Sequence, residues 1–130
     1  MSASSSLPDW FAQALQALQA GNTDGYMAIY AADAVHEFPF APDGAVPLLV
    51  GRETIAAYMR SLTEFIRFGT LSDVRAREVG NELIVEAIGH NQRLPDHAPM
   101  QINYVWFITL RDGKVVHFRD YMNPLQLSSL

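Results

Sequence analysis

The sequence predicts an α+β domain in which helices pack on one face of a mostly antiparallel sheet. Segments whose apolar residues recur with helical 3.6-residue spacing lie before Gly69, and most segments with the composition of strands follow it. Two short turns, Gly80-Asn81 and Asp112-Gly113, join neighbouring strand segments and are typical of β-hairpins. These observations predict three helices followed by a four-stranded meander.

The first helix is predicted from its ends and from one apolar stripe. Pro8 and Asp9 suit a first turn, and Gly21 suits a C-terminal cap. Between them one face carries Trp10, Phe11, Ala14, Leu15 and Leu18. A second short helix is expected over 22–33, with Asn22 or Thr23 as its cap.

The next elements lead to the third helix. Residues 34–40 are expected to form a short strand broken by Pro39, and residues 41–51 a loop rich in Pro and Gly. A third helix is expected over 51–68, with Glu53 in its first turn. Its apolar stripe comprises Ile55, Tyr58, Met59, Leu62 and Ile66.

The meander is expected over 70–79, 82–92, 100–110 and 114–122. Two registers are open for the strand 82–92, because a one-residue slip moves every side chain to the other face. The favoured register turns the apolar residues Leu83, Val85 and Ala87 inward, and the alternative turns Glu86, Ile88 and His90 inward.

Composition excludes several classes of function. The 130 residues are enough for one domain, 1–130, and 49% of them are hydrophobic. There is no cysteine, and a net charge of −5 without a basic cluster argues against nucleic-acid binding. No apolar run approaches the ~18 residues that a membrane helix needs. Residues 1–6 are expected to be a disordered lead-in without signal-peptide features, so a cytoplasmic protein is expected.

Three stretches together resemble the cone-shaped nuclear transport factor 2-like superfamily: YAADAVHEFPF, GRETIAAYM and LRDGKVVHFRDYMNP. This superfamily includes ketosteroid isomerases, limonene epoxide hydrolase and SnoaL-like polyketide cyclases. The resemblance implies a curved sheet and three N-terminal helices that enclose a pocket. It implies no single activity, because the fold hosts isomerases, hydrolases, cyclases and binding proteins.

The isomerase resemblance argues against isomerase chemistry. Ketosteroid isomerases carry their base where the first strand meets a proline, which corresponds to Phe38. Their two oxyanion donors correspond to Ala14 and Trp106. Proton transfer beside a ketone needs a base and an oxyanion donor. We therefore expect no steroid isomerisation by that route.

The two other resemblances both point to Asp120. Limonene epoxide hydrolase has a catalytic aspartate in a similar Arg-Asp-Tyr on its last strand, but its charged partners correspond to Ala87 and Gly89. SnoaL-like cyclases place one acid/base aspartate on the last strand, which is again Asp120. They pair it with polar residues of the neighbouring strand, where this chain has Tyr104 and Trp106.

Alternation along the last strand predicts that Asp120 faces the pocket. Val116, Phe118, Asp120 and Met122 share one face, which is otherwise apolar. Three interpretations remain open: a catalytic or ligand-binding carboxylate, a hydrogen-bonded structural carboxylate, and an outward-facing surface residue.

His36 is the best candidate to partner Asp120, because it alternates with Phe38 on the first strand and an imidazole can shuttle protons near neutral pH. The alternative, a hydrogen-bonded core histidine without a catalytic role, stays open. Glu37 should face outward, and surface positions are expected for His90 and His97. A metal site is not expected, since His36 and Asp120 alone are too few ligands for zinc. The other expected substrate-binding residues are Phe38, Tyr104, Trp106, Tyr26, Tyr58, Met59, Phe118 and Met122, with Tyr30 on the helical side. Packing in a filled core is the open alternative for these residues.

The predicted function is acid/base catalysis, without a cofactor, on a hydrophobic polycyclic or isoprenoid molecule, with Asp120 as acid/base and His36 as helper. The alternatives are a non-catalytic binding protein for a hydrophobic metabolite and a degenerate family member with a filled pocket. A homodimer is expected through the outer sheet face, where an apolar strip has Val105, Phe107 and Tyr121 at its centre.

Overall fold

The structure is a computed structural model that describes residues 7–127, so the predicted lead-in 1–6 lies outside the described residues. These residues form three helices and seven strands, and all seven strands belong to one sheet. Their bounds are α1 Asp9–Gln19, α2 Thr23–Met27, β1 Tyr30–Glu37, β2 Leu48–Val50, α3 Arg52–Leu62, β3 Ile66–Arg67, β4 Leu71–Val79, β5 Glu82–Arg93, β6 Ala98–Arg111 and β7 Lys114–Met122. A 3₁₀ turn, Pro124–Leu127, comes next.

The sheet is mixed and strongly curled, and the helices cover its inner face, as the α+β cone prediction requires. The strand order is β2-β1-β7-β6-β5-β3, with β4 also paired to β5. All pairs are antiparallel except β1 with β7, which run parallel. No helix among residues 7–127 is long and apolar enough to cross a membrane.

Both predicted hairpins are present. Val79 pairs with Glu82 across Gly80-Asn81, and Gly80 has a φ of 59°, as the first position of a type II′ turn requires. Arg111 pairs with Lys114 across Asp112-Gly113, whose φ angles of 53° and 77° fit a type I′ turn.

The core lies between the inner sheet face and the two long helices. The favoured register of β5 is the one observed, with Leu83, Val85 and Ala87 buried. The helices contribute the buried residues Phe11, Ala14 and Leu18 from α1 and Ile55, Ala56 and Met59 from α3.

Two boundary predictions in the helical part were wrong. The second helix ends at Met27, so Tyr30 begins β1 rather than closing a helix. The third helix ends at Leu62 and not at 68, and Thr63 Oγ1 donates to the Arg60 carbonyl at its end. Ile66 keeps its predicted place in the core at 4% exposure, but it reaches that place from β3, where it pairs with Arg93.

Two further predictions fail for non-local reasons. The expected loop 41–51 contains β2, which pairs with β1 through Val35 and Val50. Val116 was expected on the inner face of β7, but Val115 lies there at 0% exposure and Val116 is half-buried. The cause is a shift in the pairing of β7 with β6, where Thr109 pairs with His117 and Leu110 with Val115. Such a bulge adds one residue to the strand, so the side chains before it point to the opposite face of the sheet.

Candidate functional site

A cavity of about 330 Å³ lies between the helices and the inner face of the sheet. Its wall is mostly aliphatic and aromatic, which is typical of a small-molecule site. Ten of the predicted residues line it: Tyr26, His36, Phe38, Tyr58, Met59, Tyr104, Trp106, Phe118, Asp120 and Met122. Tyr30, which was also expected there, is not part of the wall and lies behind His36 instead.

Asp120 points inward, and pairing with two neighbouring strands positions its partners. Trp106 of β6 is the cross-strand partner of Asp120, and its indole N–H donates to Asp120 Oδ1 at 2.9 Å. The parallel pairing of β1 with β7 sets His36 beside Phe118, two residues before Asp120. From there His36 Nε2 lies 3.1 Å from Asp120 Oδ2.

Both carboxylate oxygens of Asp120 are therefore hydrogen-bonded, as a largely buried carboxylate requires. The side chain of Asp120 is 13% exposed and that of His36 is 3% exposed. A carboxylate can accept about four hydrogen bonds. Two of these positions are occupied by His36 and Trp106, and the remaining ones can accept a hydrogen bond or a proton from a molecule in the cavity.

Two buried tyrosines continue the chain of hydrogen bonds behind His36. Tyr30 Oη lies 3.1 Å from His36 Nδ1, and Tyr26 Oη lies 2.7 Å from Tyr30 Oη. Burial raises the pKa of both phenols well above the ordinary value, so each keeps its proton and can donate once. When Tyr26 donates to Tyr30 and Tyr30 to His36 Nδ1, Nε2–H is left to donate to Asp120.

Aromatic rings hold the imidazole in place. The His36 ring stacks on Phe118 at 4.5 Å between centroids and 10° between planes, and it contacts Phe38 at 4.8 Å. The ring of Phe38 in turn packs on the ring of Tyr58, with 5.5 Å between their centroids. The ring that faces Asp120 therefore has little freedom to turn away from it.

A second polar region of the cavity was not predicted. Asn91 of β5 is 4% exposed, and its amide N–H donates to Tyr104 Oη at 3.1 Å. Its position follows from the alternation that turns Leu83 and Ala87 inward, so continuing that alternation along β5 would have found it.

The other histidines lie away from the cavity. His90 and His97 are exposed, and His117 contacts Glu37 on the outer face of the sheet. Within residues 7–127 there is no group of three His, Asp or Glu side chains that could hold a metal ion.

Comparisons with known proteins agree with this architecture. Residues 11–118 match the family described as SnoaL-like domain. An uncharacterised PhzA/B-like protein of Pseudomonas aeruginosa is 32% identical over 116 residues, which are 86% of this chain and 80% of that protein. The uncharacterised protein YesE of Bacillus subtilis is 32% identical over 95 residues, 72% of this chain and 65% of YesE.

Solved structures of low sequence identity share the fold. A presumed isomerase from Bacillus subtilis has a TM-score of 0.87 at 21% identity, covering 99% of this chain and 94% of its own. A presumed polyketide cyclase from Pseudomonas putida has a TM-score of 0.76 at 20% identity, covering 99% and 97%. The match over residues 11–118 and the relative with 32% identity show that this chain belongs to the SnoaL-like domain family, within the nuclear transport factor 2-like fold.

Proposed function

We propose that the protein is a cofactor-free acid/base enzyme that acts on a hydrophobic polycyclic or isoprenoid molecule held in the cavity. The observation that carries this proposal is the carboxylate of Asp120, which lies on the wall of an apolar cavity and is hydrogen-bonded on both oxygens. A carboxylate held in this way in a cleft is a frequent feature of acid/base sites.

In this proposal Asp120 takes a proton from an activated carbon of the substrate and returns it to another atom. Trp106 and His36 keep the carboxylate aimed at the cavity, so that no reorientation is needed when the substrate binds. The His36 tautomer can follow the protonation of Asp120: when Asp120 is protonated, Nε2 can accept its hydrogen bond and Nδ1–H can donate to Tyr30. The same steps serve ring closure or isomerisation, whereas in a hydrolysis Asp120 takes the proton from the attacking water instead.

A binding protein for a hydrophobic metabolite is the second candidate, and the predominance of apolar side chains in the wall favours it. A member with a filled pocket is disfavoured, because a cavity of about 330 Å³ is present.

Exchange of carbon-bound protons separates these functions without knowledge of the natural substrate. The probe is 2-tetralone, an apolar bicyclic ketone whose C1 protons exchange with deuterium oxide and can be followed by NMR. We expect the wild-type protein to bind the probe and to accelerate the exchange. Binding without acceleration would contradict catalysis and support the second candidate.

A cavity-filling variant locates the activity. Leu15 is half-buried on α1 and lines the cavity, so Leu15→Trp should reduce both binding and exchange. Val79→Trp is the matched control, because Val79 is 63% exposed on β4. Equal exchange by the two variants would show that the reaction takes place outside the cavity.

We also propose that the protein forms a homodimer through the outer sheet face. The ring centroids of Phe107 and Tyr121 are 5.8 Å apart on this face, and the ring of the exposed Phe40 packs on Tyr121 with 5.1 Å between centroids. A groove of about 720 Å³ beside them carries both Arg75 and Glu86. Apolar rings with charges of both signs suit a self-complementary contact between two copies of the chain.

A further inference from the structure

The cavity has a second polar group besides Asp120, formed by Asn91 and Tyr104. Tyr104 lies two residues before Trp106 on β6, and their rings are 5.0 Å apart, so the Tyr104 hydroxyl belongs to the same cavity as Asp120. Its oxygen accepts a hydrogen bond of 3.1 Å from Asn91 Nδ2. Both side chains are buried.

The orientation of the Asn91 amide is determined by the backbone of Gly69. The Gly69 N–H donates to Asn91 Oδ1 at 3.1 Å. An N–H donor needs an oxygen acceptor, so the opposite orientation of the amide would set two donors against each other. The Asn91 NH₂ group must therefore face Tyr104.

This orientation determines what the Tyr104 hydroxyl can do. Since its oxygen accepts from Asn91, its own proton has to be donated elsewhere. Among residues 7–127 no acceptor for that proton is found, and the cavity is the space that the side chain lines. Burial, with the nearby charge of Asp120, raises the pKa of Tyr104, so the hydroxyl stays a donor.

Glycine makes room for this arrangement. A Cβ on Gly89 would lie 2.6 Å from Tyr104 Cε2 and 3.2 Å from Asn91 Nδ2. A Cβ on Gly69 would collide with the His90 carbonyl. The two positions therefore admit only glycine if Tyr104 and Asn91 are to keep these places.

We propose that Tyr104 donates a hydrogen bond to an oxygen of the substrate, that the substrate is a carbonyl compound, and that Asn91 is a positioning residue that directs the Tyr104 hydroxyl. This inference rests on the proposed acid/base function. The C–H bond beside the carbonyl breaks and its proton goes to Asp120. The electron pair forms the C=C bond of an enolate, and the negative charge that develops on its oxygen is stabilised by the Tyr104 hydroxyl.

Binding of two matched probes tests the proposal independently of catalysis. The probes are 2-tetralone and tetralin, which has the same ring system without the oxygen. Tyr104→Phe should weaken binding of 2-tetralone by about tenfold, the equivalent of one hydrogen bond, and leave tetralin within about twofold. Tyr121→Phe is the control, because it removes a phenol hydroxyl on the outer face of the sheet, beside Phe107 and away from the cavity. Equal losses for both probes, or none, would overturn the role of Tyr104.

The infrared carbonyl band of bound 2-tetralone tests the role of Asn91. A hydrogen bond lowers the frequency of this band, so Tyr104→Phe should raise it. Asn91→Asp, measured at alkaline pH, introduces an acceptor that takes the Tyr104 proton while still accepting from Gly69, and it should raise the band as well. An unchanged band in a folded Asn91→Asp protein would show that Asn91 does not direct the hydroxyl.

The two proposals can fail separately. Asp120→Asn should leave the carbonyl band of bound 2-tetralone in place, because Tyr104 makes that contact. If the wild-type protein does not accelerate proton exchange but shows a Tyr104-dependent band, catalysis fails and carbonyl recognition stands. If exchange occurs but the band does not respond to Tyr104→Phe, the oxygen site is wrong and catalysis stands.

Discussion

Replacing Asp120 with asparagine should change stability little, because the hydrogen-bond chain behind it can reverse. The amide introduced by Asp120→Asn keeps an oxygen for the Trp106 N–H and presents an NH₂ group to His36 Nε2. The imidazole then carries its proton on Nδ1 and donates to Tyr30, which donates to Tyr26. All the bonds of the chain persist, with the direction of three of them reversed.

The size of the effect follows from this count. Bonds to a charged acceptor are roughly twice as strong as neutral ones, so neutralising Asp120 costs about 1–2 kcal/mol over its two bonds. A neutral amide is also cheaper to bury than a carboxylate by a similar amount. We therefore expect the free energy of unfolding to change by about 1 kcal/mol or less. If Asp120 has only a structural role that asparagine cannot fill, Asp120→Asn should instead lower the free energy of unfolding by about 1–3 kcal/mol.

His36→Phe provides the contrast. Phenylalanine keeps the ring contacts with Phe118 and Phe38 but leaves Asp120 Oδ2 and the Tyr30 hydroxyl without their partner. Two unsatisfied buried groups should cost at least about 2 kcal/mol. Urea unfolding monitored by tryptophan fluorescence measures both variants. If Asp120→Asn is as destabilised as His36→Phe, the reversible chain is refuted.

Three further predictions concern pH, assembly and specificity. Burial raises the pKa of Tyr26, Tyr30 and Tyr104 above the ordinary value of 10.0, so these tyrosines lose their protons at a lower pH in the unfolded chain than in the folded one. The free energy of unfolding should therefore be constant below about pH 10 and fall above it, by up to about 1.4 kcal/mol per pH unit for each tyrosine. If the free energy of unfolding of Tyr30→Phe falls as steeply with pH as that of the wild type, this prediction is wrong. Sedimentation at micromolar concentration should give a dimer mass for the wild type and a monomer mass for Phe107→Asp, whereas a monomeric wild type would exclude the sheet-face dimer. A Δ5-3-ketosteroid should not be isomerised by the route of the ketosteroid isomerases, because the resemblance sets Phe38 at the place of their base, and turnover that survives Asp120→Asn would mean that the site lies elsewhere.

Local signals in the sequence were enough to predict most of the meander. Strand alternation and two-residue turns depend on neighbouring residues, so β4 to β7 and the inward position of Asp120 could be predicted. Asp120 was recognisable because it is the one acidic residue between Phe118 and Met122 on an apolar face. Its partners His36 and Trp106 followed from the same alternation on their own strands.

The errors come from contacts between distant parts of the chain. β2 exists because Val50 meets Val35, and three residues carry too little periodicity to indicate a strand. Tyr30 joins β1 because it pairs with Val115, so its bond to His36 could not be predicted from a helical assignment. Asn91 lay at the far end of a correctly predicted alternation, but its role depends on the distant Gly69.

The rate of proton exchange in bound 2-tetralone tests the central claim, that Asp120 is the acid/base group of the cavity. The measurement is made at saturating probe for the wild type and for Asp120→Asn, so that differences in affinity do not enter. Asp33→Asn is the control, because Asp33 pairs with Arg111 on the exposed surface. We expect Asp120→Asn to bind the probe and to lose at least about a hundredfold in rate, the contribution typical of a general base. Exchange at the wild-type rate in a folded Asp120→Asn protein would contradict the account.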